Sequence, residues 1–171
     1  MMVEGYKCFN RDLSNNYGFK FEVGRTYKVS GKVIAGVSGN GYHMCKRIED
    51  TFRYYGVMNP DILICRVIGR GEVAELIDEY NGYYDIYAVE EIEIGKILLR
   101  EEIIEMGMQM NEIRVIRFIQ GFKLNIDEIK LFESKFANEP VVLRAIDYYQ
   151  KGLVDVYENY VYGLRKVNER K

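Results

Sequence analysis

The chain changes its hydrophobic period once, near Ile97, and that change constrains the fold more than any single motif does. Before it, apolar residues alternate or run together in short stretches bounded by glycine and polar turns, which is how strands are written. After Leu98 the apolar spacing becomes three and four, the helical pattern. No repeat or low-complexity segment interrupts either half. The expectation is an α+β protein, with a small twisted antiparallel sheet in residues 1–97 and a C-terminal helical subdomain in residues 98–171.

In the first part, Gly5 to Phe9 reads as a first strand and Leu13 to Tyr17 as a loop rich in turn residues. Phe19 to Val23 alternates cleanly, and Gly24-Arg25 then turns the chain into Thr26–Val29, predicting two antiparallel segments joined by a tight turn. Lys32 to Ala35 is a further short strand in this reading. Ile48, Phe52 and Tyr55 share one face of a short helix, with Glu49, Asp50 and Arg53 off that face, and Gly56 with Asn59-Pro60 ends it. Ile62 to Ile68 is nearly continuous and β-branched, as in a strand buried on both faces. Gly69 and Gly71 punctuate it, Asn81-Gly82 marks a turn, and Tyr83–Val89 and Ile92–Ile97 are strand segments.

In the second part, Glu101 to Ile119 predicts one helix, with Gly107 its weak point and Gly121 its stop. Asn125 with Glu128 three residues on is a capping-box pair. Pro140 sits where a first helical turn tolerates it, and Gly152 ends that helix. Leu153 to Leu164 predicts a last helix before a charged tail.

The chemistry-bearing stretch is Gly36 to Cys45. It holds the single histidine, His43, and the glycines that precede an apolar run. His43 titrates near neutrality and is a candidate ligand-binding or proton-transfer group, although a histidine hydrogen-bonded beside a turn is the plainer reading. The GxxGxG spacing matches no phosphate-binding fingerprint. Cys45 reads as core rather than nucleophile. Glu90, Glu91 and Glu93 read as a solvated strand edge rather than a cation site.

Charge excludes two classes of partner. A formal net charge of −2 with no concentrated basic face argues against general nucleic-acid binding and against anionic membranes. No apolar run approaches the roughly 18 residues that span a bilayer, and the N-terminus shows no signal peptide. Three cysteines without CxxC pairing predict buried free thiols in a reducing compartment, so a cytoplasmic location is expected, with no metal site. Fifteen tyrosines against no tryptophan favour half-buried strand surfaces and protein interfaces. Tyr148 and Tyr162 are the better interface candidates in the helical part.

Two resemblances add to this. Gly5-Tyr6-Lys7-Cys8-Phe9, the Gly18–Tyr27 stretch, Gly41-Tyr42-His43-Met44-Cys45 and the aromatic segment Phe52–Tyr55 resemble, in order and spacing, a domain of unknown function found in phage and bacterial proteins. More distantly, the series from Gly41–Cys45 through Thr51–Tyr55, Ile62–Val67, Gly71-Glu72-Val73, Tyr80–Tyr87 and Ile92–Ile94 resembles the ADP-ribosyltransferase fold of the poly-ADP-ribose polymerases. That resemblance implies an NAD cleft in which Lys7 takes the place of the ribose-holding residue and Tyr42 or His43 stacks on nicotinamide. It also implies a catalytic glutamate near Gly82. None is there, and Asp85 is the nearest carboxylate on the strand. Without that negative group the developing positive charge of the transition state goes unstabilised.

The leading expectation is therefore not an enzyme but a phage or mobile-element protein that binds a host or bacterial defence protein, as an anti-CRISPR-like inhibitor would. It needs no cofactor. The alternative is a divergent NAD-dependent ADP-ribosyltransferase with Lys7, Tyr42, His43 and Asp85 in its cleft.

Overall fold

The computed structural model describes residues 1–36, 39–55, 62–77 and 85–153, leaving aside the side chains of residues 53–55, 77 and 85. Two compact units divide the chain, Met1–Arg100 and Glu101–Lys171.

Among the described residues the first unit has five strands and one helix: β1 (Met2–Phe9), β2 (Thr26–Lys28), β3 (Tyr42–Cys45), α1 (Ile48–Tyr55), β4 (Leu63–Ile77) and β5 (Asp85–Ile97). Every ladder is antiparallel. β4 and β5 pair from Cys65↔Ile97 to Ile77↔Asp85, and β1 lies along β4 from Met2↔Arg70 to Phe9↔Leu63. The other edge of β5 takes β3 at Ile86–Val89 and β2 at Glu91–Glu93. Finally β3 meets β1 at Tyr6↔Cys45. The ladder thus runs β1–β4–β5–β3 and back to β1, closing on itself, with β2 as a short flap on β5.

Bulges make that closure feasible. β4 shifts register between Cys65 and Val67 and again between Arg70 and Val73, and an extra residue bends a strand and raises its twist. Gly71 takes φ +81° at the second shift, a conformation a side chain would strain. The Glu90 carboxylate accepts the Glu72 N–H at 3.1 Å and pairs with Lys28 at 3.0 Å, pinning the bulge to β5 and β2.

Register decides which side chains meet. Tyr27 stands opposite Ile92, Tyr42 opposite Val89 and Val67 opposite Ile94, all on one face. Val67, Val89, Ile92 and Ile94 join Phe9, Phe21, Met44 and Cys65 in one buried cluster, the core of the ring, against which the half-buried Tyr27 and Tyr42 pack. The other face carries Cys8 and Cys45, and α1 lies against β1 and β3 there, burying Ile48 and Phe52.

Four expectations for this unit change. Phe19–Val23 is not a strand paired with β2. It contributes only the bridge Ser14↔Lys20, and β2 pairs with β5 instead, because the core takes Phe21 while the Tyr27 hydroxyl accepts the Glu22 N–H at 2.8 Å. Lys32–Ala35 is loop, held by the Asn40 amide, which donates to the carbonyls of Ser30 and Lys32 at 3.0 Å each. Glu49 and Asp50 lie buried at the start of α1 rather than on a solvated face. The glutamates of β5 are likewise not at an edge: Glu91 pairs with Lys28 at 2.8 Å and Glu93 with Arg70 at 2.7 Å across neighbouring strands. The Gly56–Pro60 stop, the Asn81-Gly82 turn and the last predicted helix lie outside the described residues.

The second unit contains α2 (Arg100–Met108), α3 (Glu112–Gly121), α4 (Ile126–Lys135) and α5 (Pro140–Gln150). The predicted single helix over Glu101–Ile119 is two, and the break is not at Gly107. Asn111 ends the run by capping α3, its side chain accepting the Arg114 N–H at 3.1 Å. The Asn125–Glu128 capping box forms on α4, and Pro140 opens α5. Val115, Phe118, Ile119, Phe132, Val142 and Ile146 are buried.

Gly107 instead gives room to Phe118, whose ring would stand 2.7 Å from any Cβ placed there. Gly→Ala inside a helix ordinarily stabilises by about 1 kcal/mol. Here the crowding reverses the sign: Gly107→Ala should lower stability by about 1–3 kcal/mol in urea unfolding. A gain in stability would show that Phe118 does not pack on α2.

Candidate functional site at the β1–β3 seam

The ring is joined at its weakest ladder. β1 and β3 register at the single pair Tyr6↔Cys45, and beyond it the strands diverge. Gly5 permits the approach, since a Cβ there would run into the Cys45 carbonyl and the Met44 methyl. Past the contact, the Lys7 ammonium reaches across and donates to the His43 carbonyl at 2.6 Å. A side chain thus satisfies a main-chain acceptor that the diverging strand cannot reach.

Alternation sets the direction of each side chain. Val3, Gly5, Lys7 and Phe9 share the core face of β1, and Lys7 stands opposite the fully buried Cys65. Part of Lys7 stays accessible, yet protein surrounds its ammonium, which lies 5.9 Å from the centre of the Phe9 ring. Burial pulls the Lys7 pKa below its usual value, with the neighbouring Cys45 and Cys8 opposing the shift. Burial likewise pushes the Cys8 and Cys65 thiols up to about 12, so both stay protonated.

His43 projects from the opposite face. Its Nε2 accepts the Gly36 N–H at 3.3 Å, which requires an unprotonated Nε2. Burial first, and the Lys7 charge second, hold its pKa below 6.5, so the ring is neutral at pH 7. Cys45, two residues on, shares that face but is buried.

Tyr42 faces the core side, away from His43. It closes an aromatic cluster in which Phe21 lies 6.2 Å and Tyr27 6.4 Å from it, centroid to centroid. Burial and Tyr27 raise its hydroxyl pKa. Lys7 and His43 therefore meet through the His43 main chain, while the Tyr42 and His43 rings point to opposite faces of β3. Asp85 opens β5 opposite Ile77, with its side chain outside the described residues. Tyr148 is half-buried on α5. Tyr162 and Gly82 lie outside the described residues.

Two features escaped the sequence reading: the core-face setting of Lys7, named there only as a cleft candidate, and the order in one loop. Lys7 occupies a position of apolar phase between Val3 and Phe9, a signal visible in the alternation alone. The loop between β1 and β2 is the other. Asn15 Oδ1 accepts the N–H groups of Tyr17 at 3.0 Å and Phe19 at 2.9 Å, and the Phe21 N–H donates to the Leu13 carbonyl at 3.0 Å. Leu13 takes φ +60°, a strained conformation for a branched side chain. This ordered loop holds Tyr17 91% and Phe19 46% exposed while Phe21 is buried.

The architecture so far is that of a small antiparallel sheet closed on itself, with an aromatic loop at one margin. The family model for a domain of unknown function, DUF7666, matches residues 3–106, and the chain belongs to that family. No curated protein and no solved structure matches the chain. Among the described residues no helix is long and apolar enough to cross a membrane, and no group of three or more His, Cys, Asp or Glu side chains could hold a metal ion.

A desolvated lysine makes stability depend on pH. The folded state binds the Lys7 proton less tightly than the unfolded chain does, so Lys7 contributes a stability that rises with pH between its lowered pKa and about 10.4. Urea unfolding of the native protein at pH 7 and pH 10 should show this contribution as a difference from Lys7→Met, in which all other titrations are shared. Identical pH slopes in the two proteins would mean that the ammonium is solvated and the seam open.

Proposed function

We propose that this chain is a protein-binding domain, and that the loop from Asn10 to Gly24 is its contact surface. The observation that carries the reading is that hydrogen bonds tie this loop down while its large aromatics stay exposed. Tyr17 and Phe19 are large aromatics held out by main-chain hydrogen bonds, and Val23 is 48% exposed beside them. Binding loses least entropy when its anchors are already fixed, and interface anchors are enriched in Tyr and Arg. Arg25 lies over the Tyr27 ring at 5.4 Å, and the pairs Lys20–Asp12 and Arg25–Glu22 form a polar rim around the apolar centre. Strain at Leu13, whose side chain packs on the core, is of the kind that collects at functional sites.

The finer form of the proposal is a phage or mobile-element protein acting on a host or bacterial defence protein, an anti-CRISPR-like inhibitor. Its support is the resemblance in the order and spacing of the motifs between Gly5 and Tyr55, together with the small acidic chain and its many tyrosines. Inhibition would follow from covering a working surface of the partner.

Capture from bacterial lysate tests the surface. The native chain should retain a partner, identified by mass spectrometry, that Tyr17→Ser/Phe19→Ser releases at least tenfold more readily while unfolding in urea at an unchanged midpoint. Equal retention by both baits would remove the loop from the interface.

The NAD-dependent transferase reading is tested separately by melting. A native-state ligand at 100 times its Kd stabilises by about 2.7 kcal/mol. The binding reading predicts no rise in melting temperature at millimolar NAD; a rise abolished by Tyr42→Ala would favour the transferase.

A further inference from the structure

Asn40 and Gly41 are each set in place by the fold for a separate reason. The Asn40 side-chain amide donates to the carbonyls of Ser30 and Lys32, at 3.0 Å each. Its main-chain carbonyl accepts the Ile34 N–H at 2.8 Å. Two donors on so short a stem are what a carboxamide supplies and a carboxylate does not. Gly41 follows with φ +124°, and a Cβ there would stand 3.2 Å from both the Val33 side chain and the Val89 carbonyl. That backbone conformation favours glycine.

The pair so imposed is chemically labile. The main-chain nitrogen that follows an asparagine can attack the side-chain Cγ, and on Gly41 no side chain shields it. The Gly41 nitrogen loses its proton and bonds to Asn40 Cγ, while the Cγ–Nδ2 bond breaks and ammonia leaves carrying that proton. Water then opens the five-membered imide at either carbonyl. Opening at Cγ gives aspartate in the ordinary chain. Opening at the main-chain carbonyl of residue 40 gives isoaspartate, with the chain rerouted through the side-chain methylene. One water is consumed and one ammonia released, with no other reactant. Both residues are partly exposed, within reach of that water.

The same hydrogen bonds that restrain the reaction make its product irreversible. Attack requires the Asn40 side chain to swing off its two acceptors toward Gly41, so it waits on local opening. Once formed, a carboxylate has no N–H to give and sets its oxygens against two carbonyl oxygens. The segment cannot close on it as before. Val33, 3% exposed, donates its N–H to Glu72 at 3.1 Å, and Gly36 donates to His43 Nε2, both from this segment. We infer that Asn40 is a site of spontaneous deamidation, and that its product releases the stretch around Val33 from the sheet in a one-way change. This inference is independent of the binding reading above.

The experiment incubates the full native chain at pH 8 and 37 °C, in buffer and in guanidinium. Peptide mapping follows residue 40 separately from Asn81-Gly82, and enzymatic carboxyl methylation reads isoaspartate. Conversion at Asn40 should be more than tenfold slower in buffer, and the slowdown should match the hydrogen-exchange protection of the Ile34 amide, which the same opening exposes. Equal rates in the two solvents, a slowdown more than tenfold away from that protection, or no conversion in buffer would each overturn the inference. In Asn40→Asp the amides of Val33, Ile34 and Gly36 should exchange more than tenfold faster than in the native chain, while the β4–β5 amides hold. Unchanged exchange would mean that the carboxylate is accommodated, and would overturn the release. Should Asn40→Asp lose β4–β5 protection as well, the converted fraction of the aged native chain, separated by ion exchange, decides. Intact β4–β5 protection in that fraction supports a local release, and its loss overturns one.

Discussion

One side-chain hydrogen bond, from the Lys7 ammonium to the His43 carbonyl, sits where the sheet of the first unit is most weakly joined. Long ladders tie β4 to both β1 and β5, but β1 and β3 share one register pair. A ring held by so short a ladder needs something to occupy the diverging gap. The alternatives are an unpaired buried carbonyl, which costs about 1–3 kcal/mol, or water admitted to the core beside Phe9 and Met44. Lysine avoids both, at the expense of desolvating its own charge, which is why its pKa falls. Gly5 on one side and the neutral His43 ring bound to Gly36 on the other complete the join.

That join accounts for the unusual residues in the stretch around His43. The glycines bend the chain into β3, the histidine holds the incoming loop, and the lysine closes the ring. Tyr42 belongs to a different neighbourhood, the aromatic cluster beneath the loop that presents Tyr17 and Phe19. Residues adjacent in sequence serve opposite faces of one strand, as the period of two requires.

Much of the architecture was legible in the sequence because period and caps are local. The alternation of β5, the Asn125–Glu128 box and the position of Pro140 reported their structures directly. What was not legible depends on partners far away in the chain. Phe19–Val23 alternates as a strand does, yet the tertiary pull of Phe21 into the core and the pairing of β2 with β5 override it. The fate of Glu49 and Asp50 turned on α1 being enclosed against β1 and β3, which no helical wheel reveals. The candidate site was half legible. Lys7 in an apolar phase was a visible anomaly, but its acceptor, 36 residues on, was not.

The central claim is that the sheet closes through β1 and β3. Nuclear Overhauser contacts between backbone protons of Tyr6 and Cys45 measure it most directly. Closure predicts cross-strand contacts at that pair as clear as those between Tyr6 and Arg66 on β4. Their absence, with the β1–β4 and β3–β5 contacts intact, would describe an open sheet and contradict the account.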